Sequence, residues 1–318
     1  MAQDDDVFHA GETAIQNRAE VPSSHIAKVS EFVRPEMPEQ HRAFFESLPI
    51  LHMGFLDRKG RVWASPVIGQ PGFMTTPNPR SLTVSALPVL EKELELDLAV
   101  GAKVGAVGLE LHTRRRNRMN GTLVQGKPDQ MSISVDQSFG NCPKYIQART
   151  LDWGQSQDLR PKPRKLTTFD QEAKTLIENA DTLIIASRVK TPSDAPDQGV
   201  DASHRGGKPG FIHLNADGSL SFPDFSGNRF FNTLGNIEVD GRVGLFIPDF
   251  ESGAALFITG RASIDWDSPR VAAFERADRI VDVVPEEIWF STQALPKQAA
   301  LPESSPFLRG TGSWSDAH

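Results

Sequence analysis

Cysteine is almost absent from this sequence: Cys142 is the single one among 318 residues. An intrachain disulfide is thereby excluded, and so are cysteine-based zinc and iron–sulfur centres. The eight histidines include no HExxH pair or other metal-ligand spacing, so no metal site is expected. No apolar run approaches the roughly 18 residues that a bilayer span requires. The start, Met1-Ala2-Gln3-Asp4-Asp5-Asp6, is acidic and lacks the apolar stretch of a secretory signal, which makes a cytoplasmic protein the default expectation. A basic excess is missing too. With 34 Lys and Arg against 41 Asp and Glu, the net charge of −7 argues against nucleic acid or an anionic membrane as the main partner. No Gly-x-Gly-x-x-Gly segment follows a strand-like run, so a Rossmann dinucleotide domain is excluded.

What is present is globular: 38% hydrophobic and 24% charged residues. The 25 glycines and 23 prolines interrupt short β-rich runs such as Leu183-Ile184-Ile185, Gly210-Phe211-Ile212-His213-Leu214 and Val243-Gly244-Leu245-Phe246-Ile247. Long amphipathic helices are few. The pattern predicts a mainly β chain, built as β-barrels with peripheral helices rather than a doubly wound sheet.

An internal repeat organises the chain. Ser65-Pro66-Val67-Ile68-Gly69-Gln70-Pro71-Gly72-Phe73 overlays Ser203-His204-Arg205-Gly206-Gly207-Lys208-Pro209-Gly210-Phe211 at an offset of 138. Gly105 and Gly121 overlay Gly244 and Gly260 at an offset of 139, so one insertion reconciles both blocks. Each copy carries a helical segment before its first strand, around His41–Leu48 and Gln171–Ala180. The reading is an N-terminal arm at 1–40, a first repeat at 41–151, a linker at 152–165 and a second repeat at 166–318. Arg160-Pro161-Lys162-Pro163-Arg164-Lys165 in the linker cannot extend a helix.

The copies differ in charge. Val67 and Gln70 of the first stand where the second has Arg205 and Lys208. Only the second copy therefore has two cations in what reads as a glycine-containing loop, where backbone N–H groups and a guanidinium fork could meet an anion. Further on, Gly227-Asn228-Arg229 follows a strand ending at Phe222 and precedes a short helix starting near Asn228. Asn228 as N-cap with Arg229 beside a helix N-terminus is a second place for an anion. Each segment alone reads equally as a basic surface turn or a capped helix.

In order and spacing, Ser203 through Arg229 and on to Val243–Phe250 resembles the FMN-binding split barrel of the pyridoxamine 5′-phosphate oxidase superfamily. Gly227-Asn228-Arg229-Phe230 is similar to that family's Gly-Ser-Arg-Lys turn, with Phe230 departing from the lysine. Phe8-His9-Ala10-Gly11-Glu12 with Gln16, His112–Gly121 and Ser138–Gln147 extend the resemblance to the long, two-barrel "pyridoxamine 5′-phosphate oxidase-related" proteins. The resemblance implies tandem FMN-binding split barrels, the first degenerate, with FMN bound by Ser203, His204, Arg205, Lys208, Pro223, Asp224, Asn228, Arg229 and Phe231. It also implies a homodimer and an FMN-dependent oxidoreductase moving a hydride between flavin N5 and a small substrate or a transiently bound NAD(P)H. Phe231 or Trp289 would cover the flavin ring. Arg118, the inward member of Arg114-Arg115-Arg116-Asn117-Arg118, is a candidate for the flavin or its substrate. So are Cys142, at an expected helix start that would make its thiol reactive, and Tyr145, the sole tyrosine. The length and a tail with one arginine, Phe307–Trp314, oppose pyridoxamine phosphate oxidation itself. A sensing flavin- or haem-binding barrel, or a haem-degrading enzyme, is the alternative.

Overall fold

The computed structural model describes residues 7–154, 159–193 and 195–314. The acidic start at Met1–Asp6 and positions 155–158 of the expected linker lie outside the described residues. Three helices come first: α1 (Ala10–Arg18), α2 (Ser23–Ser30) and α3 (Glu39–Ser47). The first β unit follows, with β1 (Ile50–Leu56), β2 (Val62–Ile68), β3 (Met74–Asn78), β4 (Ser81–Val84), β5 (Lys103–Glu110), β6 (Arg115–Val124) and β7 (Met131–Asn141). Strand β8 (Lys162–Leu166) and helix α4 (Gln171–Asn179) lead into the second. That unit holds β9 (Thr182–Arg188), β10 (Val200–Gly206), β11 (His213–Leu214), β12 (Leu220–Phe225), α5 (Asn232–Val239), β13 (Arg242–Pro248), β14 (Ala255–Asp265), α6 (Pro269–Ala273) and β15 (Ala277–Thr292).

The two sheets have the same topology. One runs β2-β1-β5-β6-β7-β4-β3 and the other β10-β9-β13-β14-β15-β12-β11, with β8 added beside β15. All named pairs are antiparallel, and the registers coincide. Met53 faces Ser65 as Ile185 faces Ser203, and Gly54 faces Gly105 as Ala186 faces Gly244. Both units carry a β-bulge at one matching place, between Asn120 and Gly121 and between Thr259 and Gly260. Glycine is required there: a Cβ would sit 2.3 Å from the Ser134 carbonyl oxygen in one and 2.3 Å from that of Val284 in the other. The expected mainly β fold in tandem is what the chain adopts.

The units pack face to face through β1, β2 and β5 of one and β9, β10 and β13 of the other. Closest approach falls at equivalent glycines. A Cβ on Gly105 would lie 2.6 Å from the Asp201 Cα, and one on Gly244 2.5 Å from the Trp63 Cα. Burial on both faces explains why β9 is buried along its whole length. One core joins the first unit to Phe246, Phe250, Ala255 and Phe257 of the second; another fills the second unit and takes Ile15 from α1. Each large apolar side chain so buried contributes about 1.5–3 kcal/mol.

Three local expectations change. Ser203-His204-Arg205-Gly206 is not a loop but the body of β10, paired to β9. The glycines after it serve packing rather than ligand approach: the Cβ position of Gly206 is taken by the Tyr145 carbonyl oxygen, and that of Gly207 by the Phe211 ring. The helix expected near Asn228 starts at Asn232, because Arg229 and Phe231 both take left-handed conformations, φ 62° and 63°, that no helix can include. The end of the expected linker, which cannot extend a helix, forms strand β8 beside β15, with Pro163 on an edge strand where its missing N–H costs no ladder bond.

Candidate anion-binding site between the repeats

One recess is lined from both repeats. Arg116, Arg118, Asn141, Cys142 and Tyr145 come from the first; Ser203, His204, Arg205, Pro223, Asp224, Asn228, Arg229, Phe231, Asn232 and Thr233 come from the second. The cavity volume is about 80 Å³. Cofactor cavities run to roughly 300–1,000 Å³, so the recess takes a phosphate-sized group and the rest of a larger ligand would lie outside it.

Four arginines and one carboxylate line it. Strand alternation directs Arg116, Arg118 and Asn120 to one face of β6, and Asp201, Ser203 and Arg205 to one face of β10. Arg118 is 3% exposed and donates to Asp201 Oδ1 at 2.6 Å and Asn232 Oδ1 at 2.9 Å. Arg205 donates to Asp224 Oδ1 at 2.6 Å, and Arg279 of β15 to the other oxygen at 3.0 Å. Among the described residues Arg116 meets only neutral acceptors. Its Nη1 donates to the His204 carbonyl at 3.2 Å and its Nη2 to that of Cys142 at 2.8 Å. Burial, with Arg118 and Arg205 close by, pulls this guanidinium down to about 10. His204 is held well below the usual histidine range by burial and the neighbouring Arg116 charge, so it stays neutral.

Behind this wall lies a polar network anchored by α1. Asn120 and Asn236 both donate to the Asp201 carboxylate, at 2.7 and 3.2 Å, and Asn232 donates to Glu12. Helix α1 reaches α5 because both carry glycine at the crossing: a Cβ on Gly11 would lie 2.2 Å from the Gly235 carbonyl oxygen. Burial and the charge on Asp201 push the Glu12 carboxyl well above its ordinary range. The first turn of α5 has no side-chain cap, so its free N–H groups remain for a ligand at Asn232 and Thr233.

The donor set tests whether a phosphate ester fits. Buried nitrogens without a partner include Arg116 Nε, Arg118 Nε, Arg205 Nε and Asn141 Nδ2, all on side chains lining the recess. Unpartnered buried donors are costly, and an anion with several acceptor oxygens satisfies them. The chemistry fits.

No family model matches the sequence, and no curated protein does. Solved structures similar to it include HupZ of Group A Streptococcus (19% identity, TM-score 0.31), covering 40% of this chain and 97% of HupZ. A "putative pyridoxamine 5′-phosphate oxidase" from Lactobacillus delbrueckii shows 16% identity and TM-score 0.30, over 39% of this chain and 98% of that one. General Stress Protein 26 of Bacillus anthracis shows 13% identity and TM-score 0.27, over 40% and 95%.

Of the residues singled out from sequence, Arg118, Cys142, Tyr145, Ser203, His204, Arg205, Pro223, Asp224, Asn228, Arg229 and Phe231 all line the recess. Lys208 does not: its ammonium donates to the Thr311 carbonyl, beyond the end of β10. Trp289 stands elsewhere, its indole N–H donating to Glu287. Cys142 opens no helix, since the chain leaves β7 there and turns at Tyr145, φ 64°. Tyr145 is pushed up to about 12 by burial and the neighbouring Cys142, and its hydroxyl donates to the Ser226 carbonyl at 3.0 Å. Sequence reasoning missed Arg116, Asp201, Arg279, Asn232 and Thr233. Alternation along β6 from Arg118 would have found Arg116; nothing local marks the others.

Proposed function

We propose that this recess holds the phosphate of FMN and that the protein is an FMN-dependent oxidoreductase. Two electrons would pass as hydride between flavin N5 and a small organic substrate or NAD(P)H. The supporting observation is convergence: four arginines facing one carboxylate, beside an uncapped helix N-terminus. FMN when bound supplies the hydride chemistry. The chain's own groups bind and orient. Arg205, Arg229, Asn228 and the first N–H groups of α5 take the phosphate. Asp224, 3% exposed and clamped by Arg205 and Arg279, fixes the backbone from Pro223 along which the ring system would lie. Phe231 stands at the same cleft to cover it, and Arg116 and Arg118 keep the opposite wall positive.

Titration of purified apoprotein with FMN tests this directly. Saturable quenching of flavin fluorescence with a bound-flavin absorption spectrum is expected. Uptake of haem with a Soret band and no FMN binding would replace the proposal with the haem reading, and binding of neither would remove both.

A further inference from the structure

Cys142 lines the anion recess but has no part in holding a phosphate. Its backbone carbonyl receives Arg116 Nη2 at 2.8 Å, and its sulfur lies 3.9 Å from the same nitrogen. Cys142 is partly exposed. Among the pocket arginines, Arg118 and Arg205 have carboxylate partners, whereas Arg116 has none among the described residues. Two further side chains, each 3% exposed, line the recess with an unpartnered nitrogen: Arg118 through Nε and His204 through Nε2. A cation without a counter-ion and buried unsatisfied nitrogens are thus gathered beside the chain's single thiol.

The geometry points to Cys142 as a modification site selective for small anionic disulfides, with Arg116 drawing the anion in. The Cys142 thiol releases its proton to solvent, and its sulfur attacks one sulfur of the disulfide. A new S–S bond to Cys142 forms as the old one breaks, and the other half leaves as a thiolate with the bonding pair. The retained half carries its negative charge into the recess beside Arg116 and closes it to phosphate. This holds whether or not the resident anion is FMN.

The chain's lone cysteine makes the test clean. Wild-type protein is treated with 5,5′-dithiobis(2-nitrobenzoate), a dianion, and separately with neutral 4,4′-dithiodipyridine, and both rates are compared with those of free cysteine. The anionic reagent should be favoured by about tenfold or more over the free-cysteine ratio, as expected of a cation-lined cleft. Inorganic phosphate should slow the anionic reagent, Arg116→Gln should bring the ratio of the two rates back to that of free cysteine, and Cys142→Ser should release no thiolate. A ratio equal to that of free cysteine overturns the proposal, as does a preference that survives Arg116→Gln. Phosphate protection of wild-type protein decides the matter if that variant fails to fold: no protection overturns it.

Discussion

Arg229 carries its charge on an exposed turn, in a left-handed conformation that disfavours any side chain. It makes no ion pair among the described residues, and strain of this kind gathers where a ligand is gripped. Arg229→Ala should weaken FMN binding by about 1.5–3 kcal/mol, the worth of one charged hydrogen bond. Fluorescence titration reads it, and an unchanged affinity removes Arg229 from the site. His52 lies on the other side of the same question of buried polar groups. Burial brings its imidazole down to about 3, and its ring packs against Phe246. The unfolded ring protonates near the ordinary value of 6.5, whereas the folded one refuses the proton until much lower pH. Its contribution to stability is therefore complete above the unfolded value and is lost as pH falls through the window down to about 3. At about pH 5.5 the loss from this residue is on the order of 1.4 kcal/mol. His52→Leu should flatten the fall in urea midpoint between about pH 7.5 and pH 5.5; an equally steep fall would show that His52 does not carry it.

Between elements, close crossings at glycine set the geometry of the site. Strand β13 meets β2 at Gly244, where the obstacle to a Cβ is the Trp63 backbone, which cannot rotate away. Gly244→Ala should cost about 1–3 kcal/mol or more, seen as a lower urea midpoint. The same change at exposed Gly72, which has open space around it but φ 93°, should cost only its local backbone strain. Helix α1 reaches α5 by the same device, and through Glu12 and Asn232 it supports Arg118. Gly11→Val should lift α1 from α5 and weaken phosphate or FMN binding, although no atom of α1 lines the recess. Calorimetric titration of wild type and variant checks it; equal affinities would mean that the network behind Arg118 is dispensable.

Across the whole molecule, the pseudo-symmetry of the repeats generates two recesses, of which one has been filled. The positions equivalent to Arg116, Arg118 and Arg205 are Ala255, Phe257 and Val67, all fully buried in the core that the repeats share. One ligand per chain follows, and equilibrium dialysis should find a single FMN or phosphate site; two equal sites would contradict the account. An apolar face of each repeat is buried against the other within one chain. Both walls of the recess come from one chain, and we propose that the site is complete within it; affinity should then not vary with protein concentration. A dilution series of the titration tests this.

The sequence by itself determined the tandem β architecture, since repeated glycines at the bulges and the interface reflect backbone contacts that no other residue permits. It also marked Arg205, Arg229 and Arg118, whose charge stands out locally. It misplaced Lys208 and the start of α5, because a single chain does not reveal where a strand continues or which residues turn left-handed. Asp201, Arg279, Asn232 and the lack of a carboxylate partner for Arg116 among the described residues were settled by the tertiary structure alone. Their significance lies in which charges meet in space: Arg118 and Asp201, 83 residues apart, meet across the two sheets, and Arg279 and Asp224, 55 apart, meet on neighbouring strands of one sheet. Residue types along a chain record which groups could hold an anion; burial and pairing decide which of them are left free to do so.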